Sequence, residues 1–83
     1  MSKKDIDEND FNKNDFLRAL SKQITKIRKS KGYSQDRLTL ESGLARGTVS
    51  KVERGTDPRA STLARIARTL GVPMAKLVEV KLD

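Results

Sequence analysis

The chain of 83 residues contains no cysteine, no histidine and no tryptophan, and only two prolines. Without cysteine or histidine, thiolate nucleophiles, disulfide staples, zinc sites of the usual kinds and imidazole general bases are excluded together. Most enzyme chemistries go with them, so no catalytic residue, metal site or cofactor is assigned. The missing cysteine also fits a reducing compartment. No apolar run approaches the length of a membrane span or a signal-peptide core, because the opening MSKKDIDENDFNKND is polar. A cytoplasmic chain with no membrane partner is the expectation. Aromatic residues are confined to Phe11, Phe16 and Tyr33, too few for the stacking platforms on which single-stranded nucleic acids are bound.

Charge is where the composition becomes informative. Eighteen lysines and arginines against eleven acids give +7. The first fifteen residues hold three lysines and five acids, so residues 16–83 carry fifteen bases against six acids. A basic globule has a polyanion as its natural partner, although basic charge also serves solubility alone. With so few aromatics, duplex DNA is favoured over single strands. The length allows one domain with a single modest core, marginal in stability unless the chain dimerises.

Residues 1–13 mix Asp, Asn and Lys without a hydrophobic period and are expected to form a disordered polar tail. From a cap at Asn14 or Asp15, a helix is expected to run to about Lys31, with Phe16, Leu20, Ile24 and Ile27 on one face, Leu17 beside them and Gly32 ending it. Its other faces are cationic: Arg18, Lys22, Lys26, Lys29 and Lys31. A second short helix follows the cap Ser34, buries Leu38 and ends at Ser42-Gly43. Gly43 is the hinge, since a sharp interhelical turn needs a positive φ that glycine adopts without strain. Leu44 plugs the angle. The next helix, Arg46 to Arg54, sets Val49 and Val52 on one face and leaves Arg46, Gly47, Ser50, Lys51 and Arg54 elsewhere. After the loop Gly55-Thr56-Asp57-Pro58 comes a fourth helix, about Ala60 or Ser61 to Leu70, burying Leu63, Ile66, Ala67 and Leu70 and closed by Gly71. Pro73 suits the first position of a short fifth helix reaching Val78. Beyond it Val78, Val80 and Leu82 alternate with Glu79 and Lys81, a strand period.

With these residues in hand, the chain resembles the phage-repressor and Cro-like helix-turn-helix family, also called the XRE family. The similarity rests on IRKSKGYSQ (27–35), LTLESGL (38–44), TVSKVERG (48–55), Pro58 and LARIARTLGV (63–72). It implies an all-α bundle of four or five helices, similar to small repressors and restriction-modification controller proteins. The domain is expected over 14–78, with 79–83 a C-terminal tail that dimerises as helix or strand. It further implies that the second helix lies across the DNA groove while the third, Ala45 to Arg54, enters the major groove.

By position in the motif, Arg46, Gly47, Ser50 and Lys51 are the candidates for base edges. An arginine there can fork onto guanine O6 and N7, worth about 1–3 kcal/mol of discrimination. Gly47 either lets the backbone approach a thymine methyl or a phosphate, or is a helix turn weakened by about 1 kcal/mol. Ser50 is a groove contact or a bystander. Phosphate contacts are assigned to Ser34 and Gln35 at the start of the second helix, with Arg37, Thr48, Arg54, Thr56 and Arg59. In this family the arginine of the first helix and the glutamate of the third pair internally, so Arg28 and Glu53 are assigned to structure. Three positions depart from the pattern: Thr39 replaces an alanine and bonds back to its own helix or holds the helices slightly apart, while Ala45 and Arg59 replace helix caps.

Few base contacts per module imply a twofold homodimer on a pseudo-palindromic operator, with half-sites roughly 34 Å apart. Met74, Leu77, Val78, Val80 and Leu82 are the candidate interface, the alternative being that they cap the monomer core. A sequence-specific transcriptional regulator is the leading reading, in a prophage, restriction-modification or antitoxin setting, with a toxin or RNA polymerase as further partner. The competing reading is an antitoxin or protein-interaction module for which DNA is secondary.

Overall fold

The computed structural model describes residues 11–81. Five helices follow in order: α1 (Lys13–Ser30), α2 (Gln35–Glu41), α3 (Thr48–Glu53), α4 (Ala60–Leu70) and α5 (Met74–Val78). No strand occurs among the described residues. The expected tail of residues 1–13 falls mostly outside them.

The start of α1 lies earlier than either expected cap. Asn12 is extended, and its side-chain oxygen accepts from the Asp15 N–H at 3.0 Å while its carbonyl accepts from Phe16 N–H at 3.0 Å. Asp15 sits one turn further on, in the first turn where a negative charge favours the helix dipole. The predicted apolar face is otherwise as read: Leu17, Leu20, Ile24 and Ile27 are buried, and Phe16 is half-buried against them.

These residues meet Leu38 of α2, Val49 and Val52 of α3, Leu63, Ile66, Ala67 and Leu70 of α4, and Leu77 of α5 in one core. Helix α1 lies against α3 and α5, α2 against α3 and α4, and α4 against α5. The two shortest central helices, of seven and six residues, are too short to persist alone. Their orientation is therefore imposed by the core and by the turns at their ends.

The C-terminal expectation changes. Leu77 is wholly buried, so it belongs to the monomer core rather than to an interface with another copy. After Val78 the backbone makes a tight turn, with Glu79 at φ −80°, ψ 82° and Val80 N–H donating to the Val78 carbonyl at 2.9 Å. Among the described residues no strand edge lies beside this alternating segment, and the strand expected there would pair with a second copy of the chain. Leu82 lies outside the described residues.

Candidate nucleic-acid interface

The hinge before the third helix is built from two glycines with different tasks. Gly43 has φ 67° and closes α2: its N–H donates to Leu40 O at 3.1 Å, and Leu44 N–H donates to Thr39 O at 3.1 Å. This paired closure satisfies carbonyls that the helix end leaves open and folds Leu44 back against the core. Gly47 has φ 84° and ψ −6°, the geometry of the third residue of a type II turn, and Thr48 N–H donates to Ala45 O at 3.0 Å.

Helix α3 therefore begins at Thr48, not at Ala45 or Arg46, and Ala45 does not occupy the cap. That corrects the reading of Gly47 as part of the helix. It is not a weakened helix turn but the residue that turns the chain into the helix, and the space beside it is open. Arg46 consequently stands in the turn just ahead of α3.

The inner side of α3 is fixed by Val49 and Val52, which are buried. Its last residue is fixed by charge. Arg28 of α1 forks onto Glu53, with Nε to Oε2 at 2.6 Å and Nη2 to Oε1 at 3.1 Å, and its Nη1 donates to the Tyr33 carbonyl at 2.7 Å. The two side chains are only 9% and 6% exposed. Gln35 adds a third donor, Nε2 to Glu53 Oε1 at 2.9 Å. Burial pushes the Glu53 carboxyl up, but hydrogen bonds from Arg28 and Gln35 and the Arg28 charge outweigh it, holding the group below the ordinary glutamate range. One buried carboxylate thus joins α1, α2 and α3.

The outer side is open. Arg46 and Lys51 are exposed, and their side chains have no hydrogen-bonded or ionic partner among the described residues. Ser50 is half-buried, and its hydroxyl oxygen accepts from Arg54 Nη1 at 2.8 Å. Thr56 is held to the end of α3, its hydroxyl donating to Lys51 O at 2.8 Å. Arg59 is exposed and precedes α4 without capping it.

Other expected phosphate contacts are partly engaged inside the protein. Ser34 accepts from the Arg37 N–H at 3.0 Å, as a cap should. Arg37 pairs with Glu41 at 2.9 Å and lies 4.0 Å over the Tyr33 ring. The hydrogen bond from Arg37 holds Glu41 below the usual carboxylate range. Asp36 adds negative charge in the first turn of α2, which suits the helix and subtracts from its attraction for an anion. Thr39 bonds to Gln35 O at 2.8 Å, so its hydroxyl is satisfied within its own helix.

The profile of the helix-turn-helix family HTH_3 matches residues 24–77. The chain belongs to this family. Among HTH_3-type relatives, SlrR of Bacillus subtilis, an HTH-type transcriptional regulator, is 38% identical over 60 residues, or 70% of this chain, which spans 40% of the length of SlrR. The uncharacterised HTH-type transcriptional regulator y4dJ of Sinorhizobium fredii is 31% identical over 65 residues, covering 77% of this chain and 84% of y4dJ. Two solved structures share the fold at 31% identity. The restriction-modification controller protein C.AhdI of Aeromonas hydrophila matches with a TM-score of 0.70 over 74% of this chain and 94% of its own. The hypothetical transcription factor NHTF of Neisseria matches with 0.75 over 84% and 82%. Both named relatives are described as HTH-type transcriptional regulators.

The signal that sequence reasoning missed in this helix-turn-helix domain is Gln35. A buried carboxylate offers about four acceptor positions, of which a forked arginine fills two, so a further donor near Glu53 was implied. On the C-terminal side, Met74 and Val78 remain 36% and 38% exposed and Val80 is half-buried, leaving a small apolar surface around α5.

Proposed function

We propose that the chain is a sequence-specific regulator of transcription that reads a pseudo-palindromic operator in duplex DNA as a homodimer, with α3 in the major groove. The observation that carries this reading is the two-sidedness of α3 and the turn before it: Val49 and Val52 are buried, Glu53 is neutralised, and the unpartnered cations Arg46 and Lys51 are exposed. A major groove about 12 Å wide accepts one such helix.

Arg46 takes the principal base contact and Lys51 the second, with Ser50 beside them. Thr48, Arg54, Thr56 and Arg59 contact the flanking phosphates. Ser34 and Arg37 contribute from α2 only so far as their internal bonds allow, and Gln35 serves the clamp first. Met74, Val78 and Val80 supply the apolar patch by which two copies associate, because Met74 and Val78, one turn apart on α5, are exposed and the half-buried Val80 follows them.

Selection of binding sites from random duplex DNA, combined with a salt titration, tests the proposal. The expected result is a two-part motif with half-sites about one helical turn apart and a linear fall of log affinity with log salt. Enrichment of no motif over scrambled competitor at moderate salt would overturn it.

A further inference from the structure

Helix α1 carries a row of cations that the base-reading surface does not use. Arg18, Lys22, Lys26 and Lys29 recur every three or four residues, share one side of the helix, and are all exposed. Two clefts of about 240 and 280 Å³ run between this side and the C-terminal end of α3. Arg18 and Arg54 line the first, Lys22, Lys26 and Lys29 the second, and Ser21 lines both, so the two form one groove.

The groove has almost no negative charge to balance these five cations. Glu53 lines it, but its carboxylate is taken by Arg28 at 2.6 Å. Asp15 pairs with Arg18 at 3.3 Å in a well-exposed contact, of the kind that contributes little. Lys22, Lys26 and Lys29 have no carboxylate partner among the described residues. Charges of one sign lining one groove attract a polyanion and repel one another in its absence.

Dimensions and continuity identify the polyanion. From Arg18 to Lys29 the helix rises roughly 16 Å, the length of about five base pairs of duplex. Arg54 borders both this groove and the reading face, because it lines the first cleft while its guanidinium bonds Ser50 on the outer side of α3.

We propose that this groove seats the sugar-phosphate backbone of duplex DNA flanking the segment read by α3, so that each monomer grips about five base pairs beyond its base contacts. This rests on the DNA-reading function of α3 proposed above. The groove adds affinity and salt dependence without adding sequence preference, since phosphates carry none.

The test compares the full chain with the variant K22Q/K26Q/K29Q on two duplexes, the selected operator alone and the operator extended by six base pairs at each end. Wild type is expected to bind the extended duplex roughly tenfold more tightly or better, with a steeper salt dependence. The variant should lose that gain, its log–log salt slope on the long duplex falling by roughly 2.7 per monomer, while its affinity for the short duplex and its preferred motif stay unchanged. Equal slopes for wild type and variant on the long duplex overturn the groove assignment and leave base reading by α3 standing. An equal loss on both lengths overturns it as well, because the lysines would then act as general charge. A double-stranded RNA competing as well as the extended DNA would overturn the assignment to DNA flanks, and a wild-type chain that prefers no duplex would remove both proposals.

Discussion

Gln35 donates from its side-chain amide to Glu53 Oε1 at 2.9 Å, which makes the Arg28–Glu53 pair a three-helix junction. The residue expected to reach outward to phosphate is turned inward. The orientation of α3 therefore depends on one carboxylate and the donors around it.

Removing one partner of this junction should cost far more than a surface substitution. Arg28→Met strands a buried carboxylate, and the expected loss is about 3–5 kcal/mol. Gln35→Ala removes one hydrogen bond to a charged group and should cost about 1.5–3 kcal/mol. Urea unfolding followed by circular dichroism measures both, and an Arg28→Met loss below that of Gln35→Ala would contradict the junction.

Acid should attack the same point. Glu53 binds its proton at lower pH in the folded chain than in the unfolded one, because its folded-state pKa is depressed. The stability it confers is complete above the ordinary glutamate value of about 4.3 and is lost as pH falls through the lower folded value. Glu41, also depressed, acts in the same direction from the surface. Thermal melting between pH 7 and pH 2.5 should show a falling midpoint below about pH 4.3, flatter in Glu53→Gln.

At Gly47 the cost of a side chain is conformational. An added Cβ would meet nothing within 4 Å, yet φ is 84°. Gly47→Ala should destabilise the fold by roughly 1 kcal/mol and shift the entry of α3, so that operator preference changes more than stability does. Gly43→Ala combines a φ of 67° with a Cβ 3.2 Å from Arg65 Nη1, the movable end of a long side chain. Backbone strain therefore dominates there as well.

Base and phosphate contacts should separate experimentally. Arg46→Ala is expected to relax preference at one position in each half-site by about 1–3 kcal/mol. Arg59→Gln should weaken binding to all sequences alike and lower the salt slope by about 1. Binding-site selection repeated on each variant distinguishes the two.

The C-terminal helix offers a division within one turn. Leu77→Ala opens the core and should cost about 2–5 kcal/mol whatever the association state. Val78→Asp leaves the core intact and should shift sedimentation toward the monomer at unchanged secondary structure. If Val78→Asp unfolds the chain instead, the α5 surface serves the monomer alone.

Much of this arrangement was legible in the residues, for identifiable reasons. The apolar spacing along α1 and α4, the hinge at Gly43 and the Arg28–Glu53 pair were readable because each depends on local periodicity, backbone conformation or a filled pair of positions. The α3 boundary was not. Arg46 and Gly47 look helical beside the following apolar spacing, and only the φ of Gly47 moves the start to Thr48. The Val78–Leu82 alternation shows which side chains share a face and not whether a neighbouring edge exists, and the pairing expected of it involves a second copy of the chain. Leu77 was misplaced because surplus apolar residues were counted without knowing that α5 folds back onto α1 and α4.

The bond from Arg54 to Ser50 bears on the chemical vocabulary of the operator. With a lone pair of that hydroxyl already occupied, and with guanidinium and ammonium groups as its neighbours, the outer side of α3 in the proposed complex addresses nucleobases chiefly by donating hydrogen bonds. Guanine and thymine edges, which offer O6, N7 and O4, are its natural counterparts, and the exocyclic amines of cytosine and adenine are not.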